Sequence, residues 1–146
     1  MPPLHPYTVH FPIALYLLGV LFTGIHLWRK AAETERFAGW CFGLSEVATL
    51  AACLLGLVDQ GQLAPTDPRL DAVNAHITAG MTLLVINGLL VYMRWRWPNA
   101  LARYRWRYLG VMVVGLVAVV ASGWLGGELV YRLHVGISPG PGFPIP

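Results

Sequence analysis

Residues 103–107 read RYRWR and run directly into residues 108–125, YLGVMVVGLVAVVASGWL. The second stretch has eighteen residues and no charge. As a helix rising about 1.5 Å per residue it is long enough to cross most of the roughly 30 Å hydrocarbon layer of a bilayer. The first stretch is the basic, aromatic collar that a span carries at its cytoplasmic boundary. Together they decide the fold, because a segment of this kind has to cross a membrane.

Working outward, three more stretches pass the same length test: Phe11–Trp28, Phe37–Val58 and Ala75–Met93, of which only the second holds a charge, Glu46. The whole chain agrees, with 146 residues, 56 % hydrophobic and only 12 % charged, too little charge to cover a soluble surface. Between spans one and two lie Arg29, Lys30 and Arg36, and between spans three and four lie Arg94, Arg96, Arg103, Arg105 and Arg107. The loop between spans two and three carries Asp59, Asp67 and Asp71 instead. The positive-inside rule therefore predicts a multi-pass protein of the bacterial inner membrane, with both basic loops cytoplasmic and both termini periplasmic. Trp28, Trp40, Trp95, Trp97 and Trp106 then mark the inner boundary, and Tyr7, Trp124 and Tyr131 the outer one. The net charge of +3 does not point to nucleic acid, since the basic residues are accounted for by topology.

Short loops join neighbouring antiparallel helices, so the expected fold is an all-α, four-transmembrane-helix antiparallel bundle over residues 1–137. Residues 138–146, rich in proline and glycine, are expected to form an extended arm that cannot be helical. Close packing in lipid needs small residues, and span two offers Gly39, Gly43, Ala48, Ala52 and Gly56. Cys41 and Cys53, twelve residues apart on one helix, are too distant to pair and read as buried thiols.

Ionisable groups at membrane depth are rare and usually functional. His5, His10, His76, Glu128 and His134 all fall at the outer end, whereas His26 falls at the inner boundary and Glu46 mid-span. Two histidines on facing helices are a standard way to hold haem in a bundle. His10 and His76 are the expected axial pair for a haem b, with Gly80 leaving a gap beside His76 and Arg132 available to a propionate. Pro12 disfavours a regular turn at Phe11, so His10 is expected in a distorted first turn or just before the helix. Interfacial histidines bonded to water or carbonyls explain the pair equally well. A second reading is a zinc, copper or non-haem iron site built from His10, His76, His5 and Glu128. A third is an accessory subunit without chemistry, packed on a larger respiratory or photosynthetic complex. Besides membrane lipid, the expected partners are a quinone, a periplasmic redox protein or the subunits of such a complex. Ser45, Ser122 and Ser138 have no histidine at a readable spacing and there is no phosphate-binding glycine loop. The chain therefore reads as an electron carrier or a subunit rather than an independent enzyme.

Two stretches resemble a known family. Residues 5–15, HPYTVHFPIAL, are similar to the HPxxVHFPIAL entry of small bacterial membrane proteins grouped as domain of unknown function 2231. Residues 123–131, GWLGGELVY, resemble the closing motif of that family, and Val135-Gly136-Ile137 its VGV. The family's motif residues would here be His5, His10, Pro12, Gly126, Gly127, Glu128 and Tyr131, with the histidine after the tyrosine shifted to His134. Some members are fused to Rieske-type iron–sulfur domains, so the resemblance implies the company of quinone and haem electron carriers.

Overall fold

A computed structural model of the chain describes residues 5–61 and 63–135. The proline-rich arm expected at 138–146 lies outside the described residues. Six helices follow in order: α1 (His5–Thr8), α2 (His10–Arg29), α3 (Ala32–Gln60), α4 (Leu70–Arg96), α5 (Ala100–Arg103) and α6 (Arg105–Tyr131). α1 and α2 form one continuous span, so four segments are long and apolar enough to cross a membrane: His5–Arg29, α3, α4 and α6. The fold is thus the expected all-helical bundle. Each span extends beyond its expected apolar stretch, and α6 runs on to carry Glu128 and Tyr131.

The irregularity near Val9 has a simple cause. Pro12 has no N–H to give the Thr8 carbonyl, so the ladder breaks there and α2 begins at His10. At the other end of α2, Lys30 takes a left-handed conformation, φ 56°, and returns its N–H to the His26 carbonyl at 2.7 Å. Only Lys30 and Ala31 then separate α2 from α3, which forces an antiparallel hairpin. His26 braces that link through Nδ1 to the Ala31 carbonyl at 2.8 Å.

α3 and α4 meet in seven-residue steps. Gly39 faces the Arg94 guanidinium, Glu46 faces Gly88 and Asn87, and Cys53 faces Gly80. This 3.5-residue period is the signature of left-handed, near-parallel packing, which is also the commonest geometry in membrane bundles. α4 and α6 also pack along their length, with His76 against Gly126, Ile86 against Gly115 and Arg94 bonded to the Tyr108 hydroxyl at 3.1 Å. α2 packs on α3 but meets α6 only slightly, bridged where Tyr16 donates its hydroxyl to the Met112 carbonyl at 2.9 Å.

Packing differs between the two ends. The close-packed core belongs to the arginine-rich half: Tyr16, Phe42, Leu90, Met93, Leu101 and Tyr108 are all buried there. Arg94 closes that end by also donating to the Glu35 carbonyl at 2.6 Å. Trp28, Trp95 and Trp106 stand exposed around it, and Arg29 and Arg105 lie over the rings of Trp28 and Trp106. Trp97 is partly buried. It packs edge-on against Tyr92 and Tyr104, because the turn at Pro98 folds it back onto the bundle. Large apolar side chains such as Leu21, Leu54, Val85 and Val117 face outward, as lipid requires.

Candidate functional site

Where α1 begins and α6 ends, residues of all four spans line a cavity of about 590 Å³, within the range of ligand pockets. Its walls come from α1 and α2 (His5, Val9, His10), α3 (Thr49, Cys53), α4 (His76, Gly80) and α6 (Ser122, Gly126, Val130). The surface is mainly apolar, with polar groups from His10, Thr49, Asp59, Gln60, Ser122 and Tyr131 besides two facing imidazoles.

Those imidazoles are His5 and His76. Their Nε2 atoms stand 3.3 Å apart, and their ring centroids 5.6 Å apart at an interplanar angle of 77°. The centroid separation exceeds the nitrogen separation by little more than two half-rings, so each Nε2 points head-on at the other. His5 is positioned twice by α3: its backbone N–H donates to Asp59 Oδ2 at 3.0 Å, and its Nδ1 lies 2.7 Å from the Ala52 carbonyl. A carbonyl can only accept, so His5 Nδ1 carries the hydrogen and its Nε2 presents a bare lone pair to His76. His76 Nδ1 is buried without a well-aligned partner, although the Ser122 backbone acts on the ring. If that nitrogen also carries a hydrogen, two Nε2 lone pairs confront each other and call for an electrophile between them. If it does not, His76 Nε2–H donates to His5 and a buried acceptor is left without a donor.

Two glycines make the arrangement possible. A Cβ at Gly56 would stand 3.1 Å from His5 Nδ1, and a Cβ at Gly126 would stand 3.0 Å from His76 Cε1. Each imidazole therefore lies in a hollow cut into the neighbouring span.

The expected site residues are distributed as follows. His10 lines the same cavity but is exposed at the start of α2 and makes no contact with His76. Gly80 also lines the cavity, yet a Cβ there would meet Cys53 Sγ at 3.7 Å, so it gives room to that thiol rather than to His76. Glu128 and Arg132 pair with each other one turn apart, in a shallow recess beside Trp124 and Tyr131 rather than in the main cavity. His134 is exposed with φ 53°, three residues beyond the end of α6. Among the described residues no group of three His, Cys, Asp or Glu is close enough to hold a metal ion.

The chain matches the family described as predicted membrane protein (DUF2231) over residues 1–139. It belongs to that family. Of the motif residues of the sequence resemblance, all but Glu128 and the shifted His134 line the cavity, with His5 against His76 and Gly126 behind that ring. Comparison with curated proteins and with solved structures returns no match.

The loop between α3 and α4 adds one fixed charge pair. Arg69 grips Asp67 through Nε at 2.9 Å and Nη2 at 2.7 Å, and its backbone N–H adds a third bond at 2.9 Å. These bonds hold the Asp67 carboxyl down to about 2, well below the usual carboxylate range. Arg69 also reaches toward the Leu133 carbonyl at 3.5 Å, so the loop before α4 is tied to the end of α6 beside the cavity mouth.

Proposed function

We propose that this chain is a membrane b-type haem protein that carries electrons at the end where α1 begins and α6 ends, with His5 and His76 as the axial pair. The observation that carries the reading is the head-on approach of two imidazole nitrogens inside a large, mainly apolar cavity. The donor set fits the group. Haem asks the protein for only two trans nitrogens, which are present, whereas a structural zinc site asks for four ligands and a catalytic one for three. The Ala52 carbonyl on His5 Nδ1 is the kind of partner that orients a ligating histidine and raises its basicity. Two nitrogens that each bind a metal at about 2.0–2.1 Å must stand roughly 4 Å apart, so the pair has to part by roughly 0.7 Å.

When bound, haem supplies one-electron chemistry at an iron whose potential is set by its ligands and burial. The chain's own part is to hold both imidazoles in one tautomer, to shield them from water with apolar walls and to leave His10 at the rim. The arginine distribution supports placing this end in the periplasm, where a quinol in the outer leaflet or a soluble redox protein could exchange electrons with it.

The short separation of the nitrogens favours a second reading, a bare copper, zinc or iron ion on the same two histidines. An absorption spectrum of protein expressed with ample haem supply separates the two. The haem reading expects a Soret band that sharpens and shifts on reduction, lost or converted to a five-coordinate form in His5→Ala and His76→Ala. His10→Ala and His26→Ala should keep the wild-type spectrum. A colourless wild type refutes haem, and metal analysis of the same variants then tests the second reading.

A further inference from the structure

Halfway along the α3–α4 interface is a polar group that the cavity chemistry does not use. Glu46 projects from α3 toward Gly88, where a Cβ would stand 3.0 Å from its Oε1, so this glycine provides room for the carboxyl. Asn87, fully buried on α4, is within hydrogen-bonding reach of it and also donates Nδ2 to the Phe42 carbonyl at 3.3 Å. Two oxygens of this pair, Glu46 Oε2 and Asn87 Oδ1, are buried with no hydrogen-bond partner. Both are acceptors, so the cluster has a surplus of lone pairs and lacks a donor.

Among the described residues no cation supplies it. Between Arg107 and Glu128 α6 has no charged residue. At this level of α2 the titratable group is Tyr16, and its hydroxyl is already given to Met112. On α3 itself Cys53, two turns along the same face, is the titratable neighbour, and it lines the cavity. An ionised carboxylate left here would be an unpaired charge in hydrocarbon, which costs several kcal/mol. A proton on the carboxyl removes the charge and supplies the missing donor in a single step. The three oxygens available are too few to replace the hydration shell of a metal cation.

We infer that Glu46 and Asn87 form a proton-binding site in the middle of the membrane, its carboxyl held as the acid. This inference is independent of what the two histidines bind.

The test uses the full chain in lipid bilayers at pH 7 with dicyclohexylcarbodiimide, an apolar reagent that attacks protonated carboxyls. An ordinary glutamate is in the acid form to only roughly one part in five hundred at that pH, so exposed acids react poorly. Wild type should gain one adduct by intact mass, mapped to α3, and E46Q should gain none, while E128Q reacts like wild type. Infrared spectra of wild type should carry a protonated carboxyl band that moves in heavy water and is missing from E46Q. Should E46Q fail to assemble, the heavy-water shift in wild type, together with the mapped adduct, still decides the matter. An unlabelled wild type without that band overturns the proposal. So does labelling that sodium ions suppress, since a metal cation would then be the ligand.

Discussion

Gly126 and Gly127 are neighbours on α6, yet adding one methyl group to each should have opposite consequences. At Gly126 the new Cβ would lie 3.0 Å from His76 Cε1, whereas at Gly127 nothing stands within 4 Å. Carbon atoms rest at about 3.5–4.0 Å, so His76 must retreat by about half an ångström or more. It cannot retreat along its own axis, because His5 Nε2 is 3.3 Å beyond. Overpacking of this kind costs about 1–3 kcal/mol. Both substitutions also gain the helix propensity of alanine over glycine, about 0.8–1.0 kcal/mol, and that gain cancels when the two are compared. Gly127→Ala should therefore be neutral or slightly stabilising, with Gly126→Ala about 1–3 kcal/mol below it. Unfolding in mixed micelles with increasing dodecyl sulfate, followed by circular dichroism, measures the difference. In a His76→Ala background the gap should close, since the two sites are coupled only through that ring. Equal stabilities in the wild-type background, or a gap that survives removal of His76, would refute the packing described for the site.

The other expectations can be checked on the same preparations. In a background without Cys41 and Cys53, cysteine at exposed Asp71 should react with an impermeant thiol reagent from the periplasmic side and cysteine at exposed Lys30 should not; the reverse pattern inverts the topology. Glu46→Gln should assemble like wild type, whereas Glu46→Lys, which sets a cation against buried Asn87, should lower membrane yield sharply, and its tolerance would place the position in water. The folded Asp67 carboxyl is depressed to about 2 by Arg69, so its contribution is present above the unfolded value of about 3.9 and is lost as pH falls from there toward about 2. Asp67→Asn should flatten that part of the acid-unfolding curve, and an unchanged curve would mean the pair persists in the unfolded chain.

Most of the fold was legible because lipid makes strict demands on sequence. Each span must be apolar along its whole length, and each end must carry its own charge and aromatic signature. Trp97 shows what that reading leaves out: composition assigned it to the boundary, and Pro98 turns the chain so that Trp97 also packs against Tyr92 and Tyr104. The site was only half legible. His76 sits inside a clear apolar stretch and its depth follows from counting. His5 precedes the stretch, among prolines, where periodicity has nothing to measure. What brings it to His76 is the bonding of α1 to Asp59 and Ala52, residues more than forty positions away. Local phase therefore favoured His10, which is five residues closer to the apolar run but sits at the exposed rim. The same limit explains Gly80. One turn from His76 on the same helix, it looked like the source of space for the ring. A residue on a helix opens room mainly for whatever the neighbouring helix presents, and here that is Cys53. The room for His76 comes from Gly126 on α6, and the room for His5 from Gly56 on α3. The available signal was thus the glycine on a different span from the histidine it serves, a pairing that only the register between spans reveals. Glu46 and Gly88 follow the same rule, which makes the glycines of this bundle a guide to its polar groups.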